Sequence, residues 1–166
     1  MPLLKDETLI DDPWVSVDAD GDIPAGRPAI VGLDHWRARR DELAGRNAPI
    51  GIRLRSDQSP AAIADDLQRF SLVALEFPVF KDGRAYSHAR LLRERYGFKG
   101  EIRAVGHVLK DQYLFMRRCG FDAFEVAQGE DPADWRKQAA AFSAFYQRAA
   151  DARPSVLDLR HAKPAE

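Results

Sequence analysis

The 166-residue chain has little cysteine and no long apolar run, and each shortage excludes a class of protein. Cys119 is its one cysteine, so an internal disulfide is excluded and no second thiolate is present for a zinc or iron–sulfur cage. No apolar run approaches the roughly 18 residues that cross a bilayer. The opening MPLLKDETLIDDP is acidic, whereas a secretion signal has a basic stretch followed by an apolar one. We therefore expect a cytoplasmic protein with no membrane span.

Motifs that bind nucleotides or nucleic acids are also missing. The sequence has neither a GxGxxG run nor a Walker loop, which argues against a Rossmann or nucleotide-triphosphate site. An isoelectric point of about 6.4, with no aromatic residues interleaved on a basic strand face, argues against nucleic-acid binding. His35, His107 and Glu76 are residue types of a two-histidine, one-carboxylate metal set, but the two histidines share no helix. We predict neither a metal nor a cofactor.

Charged residues are abundant and unevenly placed along the chain. They make up 31% of the residues and the net charge is −1. Residues 1–25 nevertheless carry seven acids and one lysine, and residues 81–118 carry ten bases and four acids. Three interpretations are open: the two segments neutralise each other within the fold, they present opposite charges to partners, or they are solvated faces that happen to differ in sign.

Short β-like runs alternate with helix-like segments from residue 28 onward. Ser59 and Asp131, each followed by proline, are typical helix starts, and Gly97 and Gly120 are typical left-handed helix ends. The pattern predicts strands over residues 29–33, 50–54, 72–77, 101–105 and 123–126, and helices over residues 34–43, 60–70, 87–96, 108–119 and 132–149.

This alternation predicts an α/β fold of about five βα units with a mainly parallel sheet. A complete eight-stranded barrel needs about 250 residues. The sheet is therefore either open and doubly wound, or a partial TIM-barrel-like sheet whose edges are covered by the N-terminal arm or a second subunit. We divide the chain into an acidic arm that packs on the domain (residues 1–25), a single α/β domain (26–150) and a weakly ordered tail (151–166).

Glu76 is the most unusual polar residue of the predicted strands, because it lies in the apolar run LVALEFP. A carboxylate there must be paired, metal-bound or protonated, since an isolated buried charge is very costly. One interpretation is an ion pair with Arg53 or Arg103 on a neighbouring strand, and the other is a catalytic or binding role. His107 follows the fourth strand, at the end where α/β proteins bind ligands. Glu76 and His107 are our candidate catalytic residues.

An anion site is predicted near the same strand ends. The loop over residues 78–86 is basic and long for a βα connection, and it contains a tight Asp-Gly turn. We expect Ser87 to cap the next helix, whose free amides attract an anion, and Arg84 to bind that anion through two donors. An ordinary surface turn with ordinary capping is the alternative. The candidate anion-binding residues are Arg53, Arg84, Arg103 and Ser87.

Several stretches resemble a known bacterial family. They are FPVFKDGRAYS (residues 77–87), LLR (91–93), YGFKGEIRA (96–104), GHVLKDQ (106–112) and RCGFDAFE (118–125). Together they resemble the bacterial family known as domain of unknown function 934, over nearly the whole chain. Members of that family are often described as oxidoreductases and tend to be encoded beside assimilatory sulfite reductase. The resemblance implies a cytoplasmic role in sulfur assimilation.

These observations leave three functional hypotheses. The leading one is an accessory protein of assimilatory sulfate and sulfite reduction that contacts sulfite reductase or its electron donor, since oppositely charged patches steer association. The alternative is a small α/β enzyme or binding protein for an anionic metabolite, such as sulfite, phosphate or a nucleotide sulfate, at the strand ends. The third is a structural subunit that forms a homodimer through an exposed sheet edge.

Overall fold

The computed structural model describes residues 1–17, 21–151 and 153–162. It is a mixed α/β structure in which an eight-stranded, mostly parallel sheet curls into a half-barrel. The strands are β1 (Leu3–Lys5), β2 (Thr8–Ile10), β3 (Val15–Ser16), β4 (Ala29–Gly32), β5 (Ile50–Leu54), β6 (Leu72–Phe77), β7 (Glu101–Gly106) and β8 (Ala123–Glu125).

The strands from β3 to β8 are parallel and lie side by side in chain order. An open doubly wound sheet has a point where the strand order reverses, and ligands bind at that point. No such reversal exists among the described strands, so of the two predicted arrangements the structure has the partial barrel. The prediction of an α/β fold with a mainly parallel sheet is confirmed.

Helical segments connect the strands. The α-helices are α1 (Leu33–Ala38), α2 (Arg40–Ala44), α3 (Arg84–Arg90), α4 (Tyr113–Cys119), α5 (Pro132–Ala139) and α6 (Val156–Ala162). Two 3-10 helices span Pro60–Arg69 and Lys110–Gln112, and a turn of π-helix spans Leu91–Arg95.

The helix caps predicted at Ser59, Asp131 and Gly120 are present. The Ser59 side chain accepts a hydrogen bond from the backbone N–H of Ala61 at 3.2 Å, and the Asp131 side chain accepts one from Ala133 at 2.8 Å. Each satisfies an amide that the first helical turn leaves without a partner. Gly120 ends α4 in the left-handed region, with a φ of 105°.

Two predicted helix boundaries are wrong. The helix expected to continue to residue 149 ends at Ala139. The helix expected to begin after a Ser87 cap begins three residues earlier, at Arg84, with Gly83 as its N-cap. Its start is displaced because the Asp82 carboxylate accepts the backbone N–H of Arg84 at 3.2 Å, so capping is already provided there.

The two faces of the sheet differ in what covers them. Side chains alternate along each strand, and those of one face pack with the helices in the main hydrophobic core, which makes this the outer, convex face. The other, concave face carries a second apolar cluster that includes Leu72, Ala74 and Val105, with Trp14 packed against it. A residue near the N-terminus therefore covers the inside of the half-barrel.

The N-terminal segment reaches both edges of the sheet. The hairpin of β1 and β2 extends one edge through antiparallel pairing of β1 with β8, and β3 extends the opposite edge beside β4. Only four residues separate Ile10 from Val15, so these two edges lie at most roughly 18 Å apart. Residues 11–14, which we call the crossing segment, thus cross the concave face.

The last part of the chain lies outside the sheet. Residues 151–166 were expected to form a weakly ordered tail; α6 lies within this range, and residues 152 and 163–166 are outside the described residues. In the part of the chain that the structure describes, no helix has both the length and the apolar character needed to cross a bilayer.

Candidate functional site

Charged side chains on the concave face lie in two levels. Register pairs Arg53 with Ala74 and Ala74 with Arg103, so the two arginines lie on one level, two strands apart. One level nearer the carboxyl ends of the strands, Glu76 pairs with Val105. Glu125 belongs to this second level, because it lies two residues after Ala123, the partner of Arg103. The sheet therefore places two glutamates above two arginines.

We call the open end of the half-barrel, at the carboxyl ends of its parallel strands, the mouth. Arg53, Glu76 and Glu125 line it, and all three side chains retain some exposure to solvent. The equivalent end of complete (β/α) barrels is where their active sites lie, because the loops after the strands converge there.

Arg103 lies deeper and is fully buried. Its Nη1 donates to the Asp12 carboxylate at 2.6 Å, and its Nε and Nη2 donate to Glu101 at 3.0 and 2.9 Å. The Lys5 ammonium, at 2.7 Å, also donates to Glu101. Two carboxylates thus occupy the Arg103 guanidinium, which holds the crossing segment and β1 to the sheet.

Unlike Arg103, Arg53 has N–H donors that form no hydrogen bond with the described residues. One ion pair holds it, between its Nη2 and the Glu76 carboxylate at 3.3 Å. The ion pair expected for Glu76 is therefore present, and its partner is Arg53. Among the described residues Arg53 forms no hydrogen bond of ordinary geometry, and its side chain is 44% exposed. A guanidinium carries five N–H donors, so most of those of Arg53 face solvent at the mouth.

Glu125 has no such cation within hydrogen-bond distance. Its carboxyl group is half-buried and forms neither a hydrogen bond nor an ion pair with the described residues. Burial raises the pKa of Glu125 above its ordinary value, and the more distant charges of Arg103 and Arg53 partly oppose that increase. A half-buried, unpaired carboxyl beside an arginine is typical of functional sites.

Arg84 is the first residue of α3, directly after the loop that follows β6. Its Nη2 donates to Ser56 Oγ at 3.0 Å and to the Asp82 carboxylate at 2.6 Å. These contacts connect the loop after β6 to the loop after β5. The Arg84 guanidinium, and a hydrogen bond from Ser56, hold the pKa of Asp82 well below its usual range. An anion at Arg84 would therefore compete with an ionised aspartate.

His107 and Ser87 are both exposed. His107 follows Gly106, whose φ of 87° turns the chain at the end of β7, and its backbone N–H donates to Phe77 O at 2.7 Å. Ser87 lies inside α3 and borders a shallow surface cavity with Arg90 and Glu94. The structure thus brings Arg53 and Glu76 together, places Arg103 on the same level as Arg53 but two strands away, and leaves Ser87 on an outer helix surface.

Two residues of this arrangement were not selected from the sequence: Asp12 and Glu101. A signal for Glu101 was present. It lies two residues before Arg103 on the same strand face, and alternation along a strand makes such positions neighbours. No comparable signal existed for Asp12, because its contact depends on the path of the crossing segment.

The described residues include no group of three His, Cys, Asp or Glu side chains arranged to hold a metal ion. Comparison with curated protein sequences finds no match. A family model does match, over residues 51–157, and this stretch contains nearly all of β5, the whole of β6 to β8 and the charged residues of the mouth. That match covers well over half of the chain, and the protein therefore belongs to the family described as bacterial protein of unknown function (DUF934).

Proposed function

We propose that this protein binds a small oxyanion at the mouth of its half-barrel, with Arg53 as the principal anion-binding residue. The observation that carries the proposal is that the Arg53 guanidinium is partly exposed and has few partners among the described residues. It lies at the ligand-binding end of a parallel sheet, and among the described residues a single ion pair of 3.3 Å leaves most of its donors unused.

The chemistry of the guanidinium suits an oxyanion. Its planar fork donates two parallel hydrogen bonds to sulfite, phosphate or the sulfate group of a nucleotide sulfate. Glu76 lies against the same guanidinium, where it is placed to exchange a proton with a bound ligand. If the protein is an enzyme, Glu76 is the first candidate for its acid/base group, and His107 on the adjacent loop is the second.

Isothermal titration calorimetry with sulfite, phosphate and a nucleotide sulfate tests this proposal. We expect at least one of the three to bind, and Arg53→Ala to weaken that binding about tenfold or more, since hydrogen bonds to charged groups contribute about 1.5–3 kcal/mol each. Arg95→Ala is the matched control, because Arg95 is exposed and its guanidinium lies over the ring of Tyr96. Equal affinity of the two variants for the anion would show that Arg53 is not part of the binding site.

A second candidate function is contact with a protein partner, namely sulfite reductase or its electron donor. Val79 and Phe80, on the loop after β6, are 56% and 63% exposed, and adjacent exposed apolar side chains are typical of interaction surfaces. The pathway itself rests on the family resemblance.

The charge argument for such a partner is weaker than the sequence suggested. Acidic and basic residues of the two oppositely charged segments pair inside the fold, as Asp12 does with Arg103 and Glu7 with Arg117 at 2.7 Å. Internal neutralisation therefore accounts for part of the uneven charge, and the exposed apolar loop becomes the better support for a partner.

Affinity capture from cells that use sulfate as their sole sulfur source tests the second function. We expect the wild-type protein to recover sulfite reductase or its donor, and Val79→Ser/Phe80→Ser to recover much less. Phe142→Ser is the control, because Phe142 is equally exposed but lies beyond α5, away from this loop. Recovery of neither protein by the wild type in repeated captures would contradict this function.

A further inference from the structure

Glu125 differs from three other carboxylates of the concave face, each of which is paired with an arginine. Asp12 and Glu101 are bound to Arg103, and Glu76 is bound to Arg53. Within the described part of the chain, Glu125 alone among these four lacks a hydrogen-bonded or ion-paired partner, although its carboxyl is half-buried. Because this carboxyl retains some exposure to solvent at the mouth, it is open to contact with a ligand that enters there.

The charges around the mouth make an ionised Glu125 unfavourable for anion binding. The cations of Lys5 and Arg103 are already occupied by carboxylates, so an oxyanion would depend on Arg53. It would then lie beside Glu76, which is paired with Arg53, and within electrostatic range of Glu125, whose pKa responds to the charge of Arg53. Protonation of Glu125 removes one of these repulsions and converts its carboxyl from an acceptor into a donor.

We propose that oxyanion binding at the mouth takes up one proton onto the Glu125 carboxylate, so that the anion is held between the Arg53 guanidinium and the neutral carboxyl of Glu125. This inference rests on the proposed anion-binding function. No covalent bond changes: the proton comes from solvent, and the new Glu125 O–H donates a hydrogen bond to an oxygen of the anion.

The groups that face Glu125 shift its pKa in opposite directions. Burial raises its pKa, Arg103 and Arg53 lower it, the amino group of Met1 also lowers it, and Asp12 raises it. Glu76 lies on the same level of the sheet, and Lys5 projects from the neighbouring strand onto Glu101. A bound oxyanion adds negative charge beside this set and therefore raises the pKa of Glu125 further.

Calorimetry with inorganic sulfate as the probe tests the proton uptake, because sulfate keeps its own charge between about pH 5.5 and about pH 8. Titrations in two buffers with different enthalpies of ionisation give the number of protons taken up. We expect the wild type to take up close to one proton at the higher pH, and its Kd to rise about tenfold per pH unit above the pKa of Glu125.

Glu125→Gln replaces the protonated carboxyl with a neutral side chain that still donates. We expect this variant to bind sulfate with an affinity that no longer varies with pH and with no proton uptake, whereas proton uptake by any other group would persist in it. Glu94→Gln is the control, since Glu94 is exposed on the π-helical turn and pairs with Arg90. A difference infrared spectrum of the wild type provides a second readout, in which sulfate should produce the C=O band of a protonated carboxyl.

The possible results distinguish a failure of the Glu125 inference from a failure of the proposed anion-binding function. Sulfate binding that requires Arg53 but shows no pH dependence and no proton uptake would overturn the role of Glu125 and leave anion binding intact. Loss of sulfate binding in Glu125→Gln, with no carboxyl band in the wild type, would also overturn it. If sulfite, phosphate, nucleotide sulfate and sulfate all fail to bind at any pH, the anion-binding function itself is wrong and this inference fails with it.

Discussion

The guanidinium of Arg103 lies 2.6 Å from the carboxylate of Asp12, although 91 residues separate the two in the chain. This ion pair joins the crossing segment to the centre of β7 and covers the concave face between them. Because Arg103 is fully buried, its charge depends on Asp12 and Glu101 for compensation.

Loss of Asp12 should therefore destabilise the fold. We expect Asp12→Ala to lower the free energy of unfolding by about 3 kcal/mol, because removal of one partner leaves a buried charge incompletely compensated. Urea denaturation measures the difference. The control is Glu42→Ala, which breaks the exposed Arg39–Glu42 pair and should cost less than about 1 kcal/mol. Equal costs would show that Asp12 does not contact Arg103 in solution.

Trp14 and Gly51 should be energetically coupled. A Cβ on Gly51 would lie 3.2 Å from Cζ3 of Trp14 and 3.1 Å from Cδ2 of Leu72, closer than ordinary packing allows. We expect Gly51→Ala to cost about 1–2 kcal/mol of unfolding free energy, and at least about 0.5 kcal/mol less in a Trp14→Ala background. A double-mutant cycle measures this coupling. If the changes in unfolding free energy of the two substitutions were strictly additive, Trp14 would not contact the side chain introduced at Gly51.

Asp66 should contribute stability that depends on pH. Its carboxylate accepts hydrogen bonds from Arg40 Nε at 2.9 Å and from Trp36 Nε1 at 3.0 Å, and these contacts lower the pKa of Asp66 despite its burial. Because the folded pKa lies below the unfolded value, this stabilisation is complete above about pH 4 and disappears as the pH falls through the folded pKa.

The variant Asp66→Asn should accordingly lose about 2 kcal/mol of unfolding free energy at neutral pH, and its difference from the wild type should narrow in acid. Thermal denaturation across the acid range measures both effects. Asp65→Asn is a matched control, since the neighbouring Asp65 is exposed. A difference that stayed constant down to the lowest pH would mean that Asp66 is not held ionised by Arg40.

Cys119 should react slowly in the folded protein. It lies buried in α4, and burial raises the pKa of its thiol to about 11. At pH 8 about one molecule in a thousand would then carry the reactive thiolate. We expect modification by a disulfide reagent to be at least about a hundredfold slower in the native protein than in denaturant. Similar rates in both would indicate an exposed thiol.

Short-range features were the ones that could be predicted from the sequence. The caps at Ser59 and Asp131 and the left-handed glycine at Gly120 depend on residues within a few positions, so local chemistry decides them. The end of α5 at Ala139 was missed because Ala-rich sequence continues beyond it with good helix propensity, and propensity alone does not end a helix.

The candidate site was predictable in part. Glu76 was expected to need a cation from a neighbouring strand, and adjacent parallel strands do bring Arg53 to it. Arg103 was expected to serve an anion, yet the structure satisfies its donors with Asp12 and Glu101. The contact with Asp12 depends on a segment far away in the chain, so no pattern near residue 103 indicated it, whereas Glu101 lies two residues away on the same strand face.

The sequence by itself determined the alternation of strands and helices, the parallel sheet that this alternation requires, and the helix caps, because each depends on periodicity or on neighbours along the chain. Only the tertiary structure decided that the sheet curls without reversing its strand order, that residues 11–14 cross its concave face, and that Glu125 has no hydrogen-bonded or ion-paired partner among the residues the structure describes. These features arise from contacts between distant segments, where closure of the sheet determines which charges meet.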